Sequence, residues 1–233
     1  MDGWLDFARG PLLRFSFAVM VLGMLRNLVA TLWGAARARQ LTNDKGLSWR
    51  RIAVQTFDWL VPVRHLRQRR LYSVLSILFH VGLIVTPVFL FAHVRLVERN
   101  LGVSWIALPT VTADVLTLTT VAIAIALVLA RVGASASRAI SRAQDVLLPL
   151  LLIAPFVTGF LAAHPHWNPF PYNPTMLVHV LGGDLCLLLV PFTKLSHMVL
   201  MPLARLPHEL AWRFPDAYPE AVVRQIGREG RAI

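Results

Sequence analysis

The sequence is poor in charge and in cysteine. Only 15% of its 233 residues are Asp, Glu, Lys or Arg, whereas an average soluble domain has about 25%. The single cysteine, Cys186, cannot form an intrachain disulfide, and it lies in an apolar run where it serves as a small buried filler. The absence of any CxxCH motif excludes a covalently attached c-type haem.

Acidic residues are also scarce: 12 Asp and Glu stand against 23 Lys and Arg, which gives a formal charge of +11. The basic residues are concentrated in particular connecting segments. The positive-inside rule of membrane proteins explains such a distribution better than nucleic-acid binding does. With 56% apolar residues and a mean hydropathy of +0.60, the chain is predicted to be an integral membrane protein.

Five apolar runs are long enough to cross a bilayer as helices. One bundle over residues 1–203 accounts for them, and a polar cytoplasmic tail follows at 204–233. The predicted fold class is therefore an all-α integral membrane protein, a five-transmembrane-helix bundle. The five predicted spans are approximately Pro11–Gly34, Leu71–Val94, Pro109–Ala130, Val146–Ala163 and Thr175–Met201.

The loop charges predict the orientation of this bundle. The connection at 35–70 carries nine Lys or Arg, the loop after the third span has three, and the tail has five. The second loop has only Arg95 and Arg99, and the fourth has none. The N-terminus is therefore predicted outside and the C-terminus in the cytoplasm, in a prokaryotic cytoplasmic membrane. The basic connection, which also holds Trp, Phe and Val, could lie on the membrane surface or dock a soluble partner.

Four of the eight histidines fall within helices two and five: His80, His93, His179 and His197. An imidazole in lipid is costly and usually faces the bundle interior. Each alone is more often a packed histidine than a ligand, but two on each of two helices predict axial ligation of two haems. His179 and His197 are 18 residues apart (197 − 179). On one continuous helix they would share a face about 27 Å apart along its axis, close to the membrane thickness.

Helices two and five run in opposite directions, and this predicts the pairing. His80 pairs with His197 for an inner haem, and His93 pairs with His179 for an outer one. On a straight helix, 13 residues place His80 and His93 about 20 Å apart and about 140° apart around the axis. The outer pair therefore requires helix tilt, tilted haem planes, or a kink at Pro87 or Pro191.

Two neutral imidazoles on one iron give a six-coordinate b haem that transfers electrons and does not bind oxygen. Haem propionates need cations or hydrogen-bond donors. Lys194 and Arg26 are candidates on the inner side, and Arg95 is the candidate on the outer side. The alternative for each is an ordinary side chain reaching toward the headgroups.

Asp184 is the other charged residue inside helix five, five residues after His179. A carboxylate at that depth is a functional candidate by default. We predict that it relays protons to or from a quinone near the outer haem. The alternative is a hydrogen bond to water or to an arginine that holds a propionate.

The segment HVLGGDLCLLLVPFTKLSHMVLMP resembles the last helix of the gamma subunit of respiratory nitrate reductase. The shared features are a histidine, a glycine one turn later, a Pro-Phe pair, a basic residue and a second histidine at the same interval. The sequence FHVGL around His80 resembles the first ligand site on that family's second helix. The resemblance covers about residues 10–205. It implies that His80, His179 and His197 are haem ligands, whereas the family's second helix-two histidine follows at a shorter interval than His93 does.

These observations predict a di-haem cytochrome b subunit of a respiratory complex that exchanges electrons with quinone or quinol. Electrons would pass to an iron–sulfur subunit on the cytoplasmic side, or arrive from a periplasmic partner such as a multihaem cytochrome. Apart from quinone, the expected partners are those subunits and membrane lipid, and no nucleic acid. Two other classes stay open: a haem-free transporter or scaffold with a proton or metal path, and a plain membrane anchor for a catalytic subunit.

Overall fold

The computed structural model describes residues 2–41, 49–50, 53–54, 57, 70–197 and 200–201. Throughout these ranges the chain is helix, turn or loop, with no strand. It divides into two compact units, Met1–Gly23 with Arg64–Leu195, and Met24–Val63 with Ser196–Ile233. The predicted tail at 204–233 and most of the basic connection lie outside the described residues.

Eight α-helices are numbered here in chain order. They are α1 (Asp2–Phe7), α2 (Leu13–Leu41), α3 (Arg70–Phe89), α4 (Phe91–Leu101), α5 (Thr110–Gly133), α6 (Ser135–Ile140), α7 (Gln144–Ala163) and α8 (Tyr172–Leu189). A π-helical turn at Ala8–Leu12 joins α1 to α2.

Five of the described helical segments are long and apolar enough to cross a membrane. This confirms the prediction of an all-helical, multi-pass protein with five spans, although the bounds of some spans differ. They are Asp2–Ala38, Arg70–Phe89, Thr110–Gly133, Gln144–Ala163 and Tyr172–Phe192. The first is longer than predicted because Pro11, taken as its start, lies inside the π-helical turn, which accommodates the missing N–H.

In the first unit, α3 packs on α5, α5 on α7, and α7 on α8. Phe79 of α3 and Ile123 and Ala124 of α5 form a buried apolar cluster. Gly82 allows the close approach of these two helices, since a Cβ there would overlap the Thr120 hydroxyl. Large apolar side chains such as Leu118 and Leu129 are exposed on the outside of the bundle, where a soluble protein would place polar ones.

The second predicted span, Leu71–Val94, is wrong in its C-terminal part. Helix α3 ends at Phe89, Leu90 is extended (φ −65°, ψ 128°), and His93 belongs to α4. The apolar run continues across residue 90, so hydropathy alone does not reveal this break. The angle of about 140° expected between His80 and His93 on one straight helix therefore does not apply.

The break at Leu90 leaves no carbonyl of the last turn of α3 unpaired. The Thr86 carbonyl accepts from the Leu90 N–H at 2.9 Å, and the Phe89 carbonyl accepts from the Leu108 N–H at 2.8 Å. Trp105 Nε1 donates to the Val88 carbonyl at 2.8 Å. The Pro87 carbonyl accepts from the His93 ring at 2.9 Å. Complete pairing is what an apolar environment demands of a helix end.

The expectation that His179 and His197 leave one face of one continuous helix is also wrong. Helix α8 ends at Leu189, and two 3₁₀ turns follow, Val190–Phe192 and Lys194–Ser196, with an extended Thr193 between them (φ −125°, ψ −177°). Pro191 has no N–H to donate to the helix, which favours this change of geometry. The 18-residue spacing therefore does not fix the relative direction of the two imidazoles.

Replacing Gly82 by valine tests the α3–α5 contact. The new side chain would collide with Thr120, and overpacking of this kind costs about 1–3 kcal/mol. We expect a lower midpoint of thermal unfolding for the purified protein in detergent. The control is Gly133→Val, because a Cβ at Gly133 meets nothing within 4 Å. Equal midpoints for the two variants would contradict the close helix approach.

Candidate functional site

The first unit brings two histidines from different helices together. The rings of His93 on α4 and His179 on α8 have centroids 5.8 Å apart and planes inclined by 17°. These are the two residues predicted as the outer haem pair. The break at Leu90 allows the contact, because it frees His93 from the direction imposed by α3.

The His179 ring is held by α7. Its Nδ1 donates to the carbonyl oxygen of Pro155 at 2.8 Å. The absence of a side chain at Gly159 makes room for the ring, since a Cβ there would lie 2.7 Å from His179 Cε1 and 2.9 Å from Nδ1. One turn further along α8, Gly182 packs against Pro155, whose carbons would lie 3.7 Å from an added Cβ. Small residues thus set both the helix contact and the orientation of the ring.

The His93 ring is held in the same way by α3. Its Nδ1 donates to the Pro87 carbonyl at 2.9 Å. Burial lowers the pKa of His93, and the hydrogen bond to Pro87 partly offsets this. A neutral imidazole whose Nδ1 carries the proton has its lone pair on Nε2. That is the state in which histidine binds a metal, with its other nitrogen held by a carbonyl.

The two rings are stacked, and both Nδ1 atoms are engaged by carbonyls. Each Nε2 therefore keeps the lone pair with which a histidine binds a metal. Within the described residues, no group of three or more His, Cys, Asp or Glu side chains could hold a bare metal ion.

The predicted inner pair is divided between the two units. In the first unit, His80 is half-buried in α3, with its Nδ1 2.7 Å from the Ser76 carbonyl and its ring edge-on to Phe79. In the second unit, His197 is exposed. The ligation of an inner haem by these two residues stays a prediction.

The three cations proposed for the propionates have other contacts. Lys194 Nζ lies 2.6 Å from Asp145 Oδ1 at the start of α7. Arg95 pairs with Glu98 at 2.7 Å on the exposed side of α4. In the second unit, Arg26 is exposed and donates to the Asn27 side chain at 3.3 Å. Their roles as propionate partners stay predictions.

Asp184 is the most deeply buried charged residue that the described ranges contain, with only 2% of its surface exposed. Both of its carboxylate oxygens are without a hydrogen-bond partner among the described residues. Its role in proton transfer stays a prediction.

Sequence reasoning missed two polar clusters. Asn100 of α4 donates to the Arg9 carbonyl at 3.1 Å and accepts from Arg14 Nε at 3.1 Å, so it links α4 to the N-terminal segment. His164, at the end of α7, lies with its Nε2 3.3 Å from Asp114 Oδ2 of α5. Arg9 and Arg14, on either side of Pro11, were a signal for the first cluster. Nothing in the sequence indicates that Asp114 pairs with His164.

The fold defines an all-helical protein with five helices long and apolar enough to cross a membrane, in which histidines of two helices lie close together. A protein of Nitratidesulfovibrio vulgaris strain Hildenborough, named only as a protein, is 32% identical over 216 residues. These residues cover 85% of this chain and 89% of that protein. The chain therefore belongs to the same family as the Nitratidesulfovibrio protein. No family model matches the chain, and no solved structure matches it.

The proximity of His93 and His179 can be tested by cross-linking. We expect a short bifunctional thiol reagent to join the cysteines of a His93→Cys/His179→Cys variant made in a Cys186→Ala background. Peptide mass spectrometry after digestion measures the product. The control is His93→Cys with Val178→Cys, because Val178 is 55% exposed on a different face of α8. Equal yields from the two variants would show that the rings do not face each other.

Proposed function

We propose that the chain is a di-haem cytochrome b subunit of a respiratory complex, which transfers electrons between membrane quinone or quinol and a partner iron–sulfur or cytochrome subunit. The observation that carries this proposal is the proximity of His93 and His179, with ring centroids 5.8 Å apart. Two imidazoles with engaged Nδ1 atoms, on separate membrane-associated helices, are the ligand set that a b haem requires.

The residues of the outer site each have a defined task. His93 and His179 would hold the iron through Nε2, which leaves it no open coordination position. The carbonyls of Pro87 and Pro155 fix the tautomer and the ring directions. Haem b held in this way supplies one-electron transfer between quinone and the partner's redox group.

The inner site of the proposal rests on resemblance. The resemblance of helices two and five to the nitrate reductase gamma subunit implies that His80 and His197 are ligands. The Nδ1 of His80 lies 2.7 Å from a backbone carbonyl, as in the two outer ligands. This shared engagement of Nδ1 by a backbone carbonyl supports a ligand role for His80.

The orientation and partners belong to this proposal as well. The basic connection at 35–70 and the basic tail favour a cytoplasmic location for both, so the outer pair would lie toward the periplasm. An acidic iron–sulfur subunit would dock on the basic side, and a periplasmic cytochrome on the opposite side. Asp184 would relay quinone protons from within α8.

The optical spectrum tests the proposal directly. We expect the purified protein to show b-type absorbance in a reduced-minus-oxidised spectrum, with two haems per chain. His93→Ala and His179→Ala should each leave one haem, because each removes one ligand of the same iron. The control is His166→Ala, since His166 is exposed in the loop before α8. Haem-free protein, or an unchanged haem content in both ligand variants, would overturn the proposal.

The support of His179 by α7 gives a finer test. Gly159→Ala places a methyl group against the His179 ring and should weaken the hydrogen bond to Pro155. The loss of such support costs about 10–100-fold in metal affinity, so haem per chain should fall from two toward one. The control is Gly183→Ala on α8, where a Cβ meets nothing within 4 Å. Two haems retained in Gly159→Ala would show that this support is dispensable.

A further inference from the structure

Three polar side chains of the first unit are buried without a hydrogen-bond partner among the described residues. Thr86 lies on α3, and the other two lie on α2 and α8. Ser16 of α2 is fully buried, at 0% exposure, and Asp184 of α8 is 2% exposed. Their unpaired atoms are the Ser16 hydroxyl oxygen and both Asp184 carboxylate oxygens. Unpaired buried polar atoms are rare, and each requires an explanation.

Packing between the N-terminal segment and α8 places these two residues at one level. Asp2 accepts from Asn173 at 2.9 Å, and Arg9 donates to the Tyr172 hydroxyl at 3.5 Å, so both segments begin at the same end. Further along, Gly23 packs against Pro191, because a Cβ at Gly23 would collide with the proline ring. The N-terminal segment and α8 therefore run in parallel.

Ser16 and Asp184 each precede this contact by seven residues, since 23 − 16 and 191 − 184 are equal. Seven residues are close to two helical turns, so each side chain returns to the face that makes the contact, about 10 Å along the axis. Ser16 thus lies on the face of α2 that carries Gly23. Asp184 lies on the side of α8 that leads to Pro191 in the following 3₁₀ turn.

The opposite side of α8 is used by α7. His179 donates to Pro155, and Gly182 packs against the same proline. Asp184 is about 200° around the helix from Gly182, which directs it away from α7 and toward α2. The carboxyl group and the serine hydroxyl therefore lie at one level, on the sides of their helices that lead to the contact of Gly23 with Pro191.

Other ionisable side chains near this contact are engaged elsewhere. On the packed segments, Arg14 donates to Asn100 and Asp145 pairs with Lys194. Arg9 is bound to Tyr172 and Asp2 to Asn173, while Asp6 is exposed on α1. Within the described residues, no cation is paired with Asp184. An ionised carboxylate buried without a cation is strongly unfavourable in an apolar environment.

We propose that Asp184 and Ser16 form a proton-binding site inside the membrane, between α2 and α8. The Asp184 carboxyl group binds and releases the proton, and the Ser16 hydroxyl holds a water molecule that bridges the two side chains. Such a site binds and releases a proton between the first and fifth spans. Its use for quinone protons rests on the function proposed above, but its ability to bind a proton does not.

Infrared difference spectroscopy of the full chain in lipid nanodiscs, recorded as a function of pH, tests the site. We expect a carbonyl stretching band of a protonated carboxylic acid that shifts in D₂O. Asp184→Asn should remove this band. Ser16→Ala should keep it but shift it to higher wavenumber, because the hydrogen bond through water is lost. Asp114→Asn is the control, since Asp114 is a partly exposed carboxylate of α5, and it should leave the band unchanged.

The outcomes separate this proposal from the proposed function. An Asp184→Asn spectrum identical to that of the parent protein would overturn the proton site. A band that disappears at constant pH when choline is replaced by sodium would also overturn it, in favour of a cation site. The measurement needs neither haem nor quinol, so a haem-free preparation affects only the proposed function. If the proton site and the proposed function are both correct, quinol turnover should fall at least about tenfold in Asp184→Asn at unchanged haem content.

Discussion

The structure depends on the pairing of backbone carbonyls with imidazole N–H groups. At the end of α3 and in the middle of α7, a proline carbonyl accepts a hydrogen bond from a histidine of another helix or of the next one. In an apolar environment such a bond satisfies two polar groups at once. It also fixes which ring nitrogen keeps its lone pair. The same hydrogen bonds therefore pack the helices and determine which nitrogen of each histidine can bind a metal.

Small residues at helix contacts provide the second general constraint. Gly82 lies against Thr120, Gly159 against His179 and Gly23 against Pro191, and each contact would be lost to a larger side chain. Helices in lipid gain little from burying apolar side chains against each other, so close backbone approach carries much of their association. The glycines thereby set the register in which His179 and Asp184 are directed to opposite sides of α8.

Much of this arrangement could be predicted from the sequence, because its signals are strong and local. Apolar length identifies all five spans, and the pairing of His93 with His179 follows from the antiparallel course of helices two and five. The break at Leu90 could not be predicted, since Trp105 and Leu108 stabilise it from a later loop. The end of α8 at Leu189 could not be predicted either. The alignment of Ser16 with Asp184 could not be predicted because it depends on the distant contact of Gly23 with Pro191.

The turn at Leu90 has a mechanical consequence for the neighbouring ring. Three successive carbonyls at this turn accept hydrogen bonds from His93, Trp105 and Leu108. The imidazole and the connection between α4 and α5 are therefore fastened to the same few peptide groups. A change in the connection at Trp105 or Leu108 would therefore also disturb the peptide group that orients the His93 ring.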